Sequence, residues 1–556
     1  MKKIILTLAL LTLAAAGLYA QSEINRPKLV VGIMVDQMRW DYLTRFNDRY
    51  CEGGFKRLMR EGYNSNRLLI NYLPTVTAVG HTSVYTGSVP AFTGIVGNSF
   101  PVDGRWGSSV SDDKVTSVGT TRRDGQASPR KLLVTTITDE LRLATNFRSK
   151  VVSVAVKDRA AILPGGHAAN GAYWMDGESL DFITSSYYMQ ELPQWVKDFN
   201  AQKLGQKYQR LTTEDKKAKD ACWDLLYDKD TYVQSTPKGQ VHEGRVGQSL
   251  KYSPYGNTYT IDMARAAVLG ENLGHNPAGV PDFLAMSMSC TDMIGHVVGP
   301  NSIYIEDTYL RLDRDIASFL TFLDKQVGKG NYVVFLSADH AGSHNVKFRQ
   351  DNRIPASTWP YNIILKNVND HLYAKFAADV QASETKRPYI VSSMNDENVY
   401  FDNKAIQALC PAGVDSACFK ATVRQATIDF MVSLPEVAYC FPFNDMPDFL
   451  PDPLREMVRN GYNPKRSGEL QIILEAGVTE DWDAGSPSYD GIPKGTNHVV
   501  WSPYDAHIPF IVMGKNVRHA WDNQTHHVTD IAATIAALLD IQQPSGCVGN
   551  AIDVRK

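Results

Sequence analysis

The sequence predicts an α/β fold: a mostly parallel central sheet flanked by helices, carrying insertions. Three observations lead there. Short, uniformly apolar runs recur along the chain, as strands buried on both faces require. Segments with apolar residues at helical spacing lie between several of them. No tract repeats and none is of low complexity, which argues against a solenoid or an array. The 556 residues exceed one simple core, so one large domain with insertions, or two domains, is expected.

Taken in order, the chain opens with Lys2 and Lys3, an apolar run from Ile4 to Leu18, and Ala20 before Gln21. Basic, apolar, then small is the order of a secretory signal, and the run is short for a membrane span. Residues 1–20 are therefore read as a signal peptide and 21–556 as the working domain. A periplasmic or secreted protein is expected, with no stable membrane insertion after cleavage. Five runs are read as buried parallel strands: Lys28–Asp36, Val151–Asp158, Asp282–Asp292, Asn331–His340 and Ile508–Gly514. Helices are expected over Thr135–Ala144, Thr260–Glu271, Ile305–Val327 and His527–Ile541. A shorter one opens near Thr77 and closes at Gly87.

Two stretches break the rhythm and are read as insertions, at about 168–259 and 348–494. The first is polar, aromatic and lysine-rich. The second holds a strand-like run at Asp396–Asp402, a helix at Lys404–Leu434 and apolar runs at Glu436–Phe441 and Glu469–Gly477. Those elements suit a small α+β subdomain. The formal charge is −3, or −5 once Lys2 and Lys3 are removed. A mildly acidic chain is a poor generic partner for nucleic acid. Seven cysteines are too few to form a framework, and no C-x-x-C pair suggests a thiolate zinc site. Cys410 and Cys418 are near enough in sequence to pair, and an odd count leaves at least one thiol free.

The chemistry collects at strand ends. Asp36 ends the first run, Asp292 the third, and Asp339–His340 the fourth; His296 follows Asp292 by one helical turn. In open parallel sheets ligands bind beyond the carboxyl ends of strands. Taken singly, each residue is most simply a turn or cap residue. Together they would repel one another unless cations lay among them. His498 lies in a Gly/Asn/Pro-rich loop before the last strand, and that loop is expected at the same sheet edge. Asp505, His507, His81 and His526–His527 are read as structural, and His344 as a supporting or surface residue. Thr77 opens a helix, whose unpaired N–H groups suit phosphate. A neutral hydroxyl is a weak nucleophile unless a metal or base activates it. If the second run stays extended past Val156, Lys157 and Arg159 project on one face and offer a point charge and a planar fork to one anion. Asn98, after a Gly-rich turn, adds a neutral donor.

The chain resembles the alkaline phosphatase superfamily, and more closely its PafA-type, phosphate-irrepressible members. The resemblance runs from about Lys28 to the C-terminus. It rests on VDQMRWDYL, PTVTAVGHTSVYTG, GIVGNSF, VKDRAAILPGGH, TDMIGH, SADHAG and GTNH…YDAHIPF, in that order. It implies an alkaline phosphatase-like fold and two Zn²⁺ ions. Asp36, Thr77, Asp339 and His340 would surround one zinc; Asp292, His296 and His498 would hold the other. Thr77 would be the nucleophile, forming a phosphothreonine. Asn98, Lys157 and Arg159 would grip the phosphoryl oxygens. Phosphate monoesters would be the substrates and inorganic phosphate the product. Apart from the resemblance, a monomer is expected. Two departures stand out. Val499 follows His498, and Ala341 follows the Asp–His pair, where the family usually has glycine. A phosphodiesterase or nucleotide pyrophosphatase of the same superfamily is the alternative, with a non-catalytic zinc- or phosphate-binding relative as the second. A sulfatase is disfavoured, because no Cys/Ser-x-Pro-x-Arg stretch occupies the nucleophile region.

Overall fold

The computed structural model describes residues 25–217, 221–234, 246–377, 388–481, 484 and 495–556. The expected signal peptide lies outside the described residues. Within them, eleven strands form one sheet. These are β1 (Leu29–Val35), β2 (Tyr63–Leu69), β3 (Ser117–Val118), β4 (Val151–Ala155), β5 (Gly171–Met175), β6 (Phe182–Ser185), β7 (Asp282–Met288), β8 (Tyr332–Ser337), β9 (His507–Gly514), β10 (Ala520–Asp522) and β11 (His526–His527). Their order is β10-β2-β9-β8-β1-β7-β4-β5-β6-β3, with β11 also beside β2.

The middle of the sheet, β8-β1-β7-β4-β5, is parallel throughout. Every residue of β1, β7 and β8 is buried. That explains why these strands read as continuous apolar runs: helices cover both of their faces. One helical group contains Tyr255–Gly270 and Ile303–Leu323; another contains Thr77–Thr86, Asp158–Gly165 and Asp530–Leu539.

The structure departs from the sequence reading in several places. Strand β9, expected to be parallel, runs antiparallel to β8. This direction is what brings the loop before it to the carboxyl edge of the parallel strands; a parallel β9 would have sent that loop to the other edge. Strand β4 stops at Ala155, and Asp158 already opens a helix. The stretch read as the first insertion begins with β5 and β6, which extend the main sheet. The single helix expected over Lys404–Leu434 is two, Asn403–Leu409 and Ser416–Val432. Pro411 accounts for the break, having no N–H and forcing Cys410 into an extended conformation. Cys410 and Cys418 are free, as are the other five cysteines. The last helix, expected from His527, starts at Asp530, and His526–His527 pair with β2 as β11.

Residues 391–474 contain a four-stranded antiparallel sheet. Its apolar side chains form a second core distinct from that of the main sheet. Trp359, Val368, Val423 and Ile472 lie in that core, each at most 1% exposed.

Candidate active site

Neighbouring parallel strands deliver the first group. Strand β1 pairs with β8 with Ile33 beside Leu336 and Met34 beside Ser337, so Asp36 and Asp339 emerge side by side. Asp36, Asp339 and His340 are fully buried. His340 Nε2 lies 3.5 Å from Asp36 Oδ1 and 3.6 Å from Asp339 Oδ2. Asp36 Oδ1 and His340 Nε2 have no hydrogen-bond partner, and Asp339 Oδ2 has only His81 Nδ1 beside it, at 3.1 Å. His340 Nδ1 donates to the Ala341 carbonyl at 2.9 Å, which leaves Nε2 with a free lone pair. Burial lowers the His340 pKa, which favours that neutral ring. Burial, and then Asp339, raise the Asp36 pKa against the pull of Lys157. For Asp339 burial also works upward, but His340 and His81 outweigh it and hold the group below the carboxylate range. Two carboxylate oxygens and an imidazole nitrogen that face one another in a buried space suit a divalent cation.

The second group is built on a helix and a loop. Helix Cys290–Val298 follows β7 almost at once and presents Asp292 and His296 on one face. His296 Nε2 lies 3.1 Å and His498 Nε2 3.7 Å from Asp292 Oδ1. Each imidazole is fixed through its other nitrogen: His296 Nδ1 donates to the Thr496 carbonyl at 3.0 Å, and His498 Nδ1 to that of Thr75 at 2.6 Å. Such carbonyl partners orient a ligating ring and set its tautomer. Burial, then His340 and His296, depress the His498 pKa. For His296 burial is outweighed by Asp292, and the pKa rises. Asp292 is held well below its usual range because His296 and Lys157 outweigh its burial. The His340 and His498 rings stack at 3.6 Å, so the two groups are contiguous. Potential ligand atoms of Asp292, His340 and His498, and of Asp36, Asp339 and His340, each fall within 4.8 Å of one another.

Helix Thr77–Thr86 brings the hydroxyl. Val76 occupies the cap position and Thr77 is the first helical residue, so Thr77 is not the cap. Gly80 faces the backbone of Asp339; a Cβ there would meet the Asp339 carbonyl at 2.1 Å. Only glycine lets this helix sit so close to the first group. Gly87 ends the helix in the left-handed region at φ 63°. Asn98 Oδ1 accepts from Ala78 N at 3.0 Å, which places Asn98 at the helix N-terminus with its NH₂ left as donor.

Lys157 and Arg159 reach the region by a route different from the one expected. Strand β4 ends too early for them to share a strand face. Lys157 instead caps helix Asp158–Gly165, and Arg159 lies in its first turn. Lys157 Nζ sits between the two groups, 2.7 Å from Asp36 Oδ2 and 2.6 Å from Asp292 Oδ2. Burial would discharge it, but Asp292 and Asp36 outweigh burial and keep it a cation. Arg159 makes no contact with those carboxylates; its Nη1 lies 3.7 Å from Asp158, and its Nε has no partner.

Two supporting residues are not visible as such in the sequence. Gln37, at φ 63°, donates its backbone N–H to Asp339 Oδ1 at 3.2 Å and its amide to Asp292 Oδ1 at 2.7 Å. It thereby fixes one carboxylate of each group. His81, read as structural, has Nδ1 2.9 Å from the Thr77 carbonyl and 3.1 Å from Asp339 Oδ2, and Nε2 2.8 Å from Ser287 Oγ. Their only sequence signals are adjacency to Asp36 and one-turn spacing from Thr77. Val499 explains one departure noted above: its φ is 103°, a region that favours glycine and strains a β-branched residue. Its N–H donates to Thr75 Oγ1 at 3.1 Å, and its carbonyl accepts from Thr75 N at 3.2 Å. These bonds hold the strained residue beside His498. Ala341 carries no such strain, since its φ is not positive.

The sequence model of the type I phosphodiesterase / nucleotide pyrophosphatase family matches residues 30–479. Among curated proteins, the chain is 44% identical to one from Myroides odoratus named a calcium-transporting ATPase, over 96% of this chain and 95% of that one. It is also 44% identical to alkaline phosphatase PhoV of Synechococcus elongatus, over 95% and 93%. The crystal structure of wild-type alkaline phosphatase PafA superposes with a TM-score of 0.85 at 41% identity, covering 96% of this chain and 99% of that one. A solved variant of PafA carries substitutions at a threonine, an asparagine, a lysine and an arginine. With this fold and similarity over nearly its whole length, the chain belongs to the alkaline phosphatase superfamily, on its PafA-type branch.

Proposed function

We propose that this protein hydrolyses phosphate monoesters through a covalent phosphothreonine on Thr77, at a site for two Zn²⁺ ions. Asp36, Thr77, Asp339 and His340 would hold one ion, and Asp292, His296 and His498 the other. The fit rests on the partnerless buried atoms Asp36 Oδ1 and His340 Nε2, on Asp339 Oδ2 facing them, and on the three-donor set at Asp292. When bound, such ions supply Lewis acidity, which lowers the pKa of hydroxyl and water and offsets charge on a departing oxygen.

The residues of the chain divide the remaining work. Thr77 Oγ1 attacks phosphorus; its bond to phosphorus forms as the bond to the ester oxygen breaks, and the alcohol leaves with a proton. Water then breaks the Oγ1–P bond, releasing inorganic phosphate and restoring the hydroxyl. Helix N–H groups beside Thr77 and the Asn98 NH₂ face the phosphoryl oxygens. Lys157 and Arg159 add two cations, which favour a dianionic monoester over a singly charged diester. Gln37 and His81 are positioning residues that keep Asp292 and Asp339 aimed.

The observation that carries this reading is the Lys157 ammonium lying between the two acidic groups. The names of the PhoV and PafA relatives support it. A diesterase is the second reading, favoured by the matching family model. Turnover of phenyl phosphate and of its matched methyl diester, with zinc content measured on the same sample, separates the two. Monoester preference together with an acid-stable phosphate on the Thr77 peptide in quenched mixtures supports the proposal; diester preference overturns it. We also place the protein in the periplasm or outside the cell as a monomer. Among the described residues no helix is long and apolar enough to cross a membrane.

A further inference from the structure

A basic cleft opens beside the Asn98 loop. The hairpin Ser99–Val102/Arg105–Ser108 follows Asn98 directly. Its base closes on that residue, for Ser109 N donates to the Asn98 carbonyl at 2.9 Å. Gly107, which lines the cleft, pairs with Phe100, two residues and about 7 Å of strand from Asn98. The cleft has a volume of about 720 Å³. Six cationic side chains line it against three carboxylates, in a chain whose formal charge is −3.

Most of that charge is not locally neutralised. Arg130 is paired with Asp112 at 2.6 Å. Among the described residues no carboxylate lies within ion-pair distance of Arg105, Lys114, Arg123, Lys131 or Arg466. The last two form the floor. Arg466 is 8% exposed and donates to the carbonyls of Gly94 and Lys131 at 2.5 and 2.6 Å. Lys131 donates to the Ser108 carbonyl at 2.5 Å. Both lie over the Phe100 ring, at 6.0 Å for Lys131 and 5.4 Å for Arg466. Burial and the neighbouring Arg466 lower the Lys131 pKa. Adjacent half-buried cations held on neutral carbonyls are costly by themselves, and an anion in the cleft offsets that cost. Trp106, 45% exposed, stands at the rim edge-on to Tyr400 at 4.9 Å.

We propose that this cleft is a subsite for a second phosphate group of the substrate, so that small molecules bearing two phosphates are preferred over those bearing one. The proposal rests on the phosphomonoesterase reading above, because the first phosphate must be the one transferred at Thr77.

The test compares fructose 1,6-bisphosphate, fructose 6-phosphate and phenyl phosphate on the wild type and on the triple variant Arg105→Ala/Lys114→Ala/Arg123→Ala. These three side chains are exposed, so the fold should tolerate their loss. A second variant, Lys131→Gln, probes the floor. In the wild type the bisphosphate should show the higher kcat/KM, an advantage that shrinks with added salt. The triple variant should lose about tenfold on the bisphosphate, mostly through KM, with phenyl phosphate unchanged. An unchanged ratio of bisphosphate to monophosphate in both variants overturns the subsite. So does an equal fall on all three substrates, which would mean general steering. If phenyl phosphate is not turned over at all, the phosphatase reading fails instead. Calorimetric titration with the bisphosphate then decides on the cleft, and equal affinity in wild type and triple variant rejects it.

Discussion

The two candidate ligand groups are built differently. Asp36, Asp339 and His340 stand at the ends of adjacent, fully buried strands whose register is fixed by a hydrogen-bonded ladder. Asp292 and His296 ride on a helix, and His498 on a loop held by Thr75 and a strained Val499. Strand ends of a buried sheet place side chains with little freedom. A helix joined to a loop depends on distant contacts being made first. The first group should therefore be the sturdier, with its His340 also within 4.8 Å of Asp292 and His498 and so linking the two.

The largest expected effect lies at Thr77, the proposed nucleophile. Thr77→Ala should lower phenyl phosphate turnover by roughly 10⁴-fold or more while elemental analysis still finds zinc; a variant keeping most of its activity would remove the covalent route. Next come the groups themselves. His340→Ala should deplete both ions, whereas His296→Ala should deplete one and leave the other. Equal zinc content in the two variants would abolish the asymmetry drawn above. Lys157→Ala with Arg159→Ala should cut monoester kcat/KM about 10²-fold more than that for the matched diester. Zinc content needs checking there, because Lys157 also touches Asp36 and Asp292.

The smallest effect is a control outside both groups. Asp396, in the small antiparallel subdomain, accepts from Asn395 at 2.7 Å and packs against Gly97. Burial raises its pKa to about 7 from an ordinary 3.8. Below about pH 4 the folded and unfolded states are both protonated, and the buried carboxyl carries no ionisation penalty. Between about pH 4 and 7 unfolding releases a proton, so stability falls as pH rises, and above 7 the whole penalty is present. Asp396→Asn should match the wild type in thermal melts near pH 4 and exceed it above pH 7, by of order 4 kcal/mol at most. Its zinc content should stay the same; a loss would tie the subdomain to the ligand groups.

How much of this was legible follows from the same contrast. The strands carrying Asp36 and Asp339–His340 could be read because uniform burial makes them uniformly apolar. The Asp292–His296 pair could be read because helical spacing is local. The direction of β9 could not, since it depends on how a distant loop returns. Strand β2 escaped notice because YNSNRLL is polar; it pairs antiparallel with β9, and its Asn64 amide donates to the nearby Met59 carbonyl and to the distant Ala520 carbonyl. Lys157 was found for its charge but assigned to a strand face, because the strand ends at Ala155, three residues short of the run's expected end at Asp158. Gln37 and His81 act only through groups far along the chain, and no spacing announces them.

His498 and Thr75 touch although 423 positions separate them. A ribosome must therefore deliver nearly the whole polypeptide before that contact can form. Until then, a growing chain has carboxylates and imidazoles but no enclosed pocket to trap an ion. A site of this kind would take up metal only after its distant segments have met, and contacts of such long range form slowly.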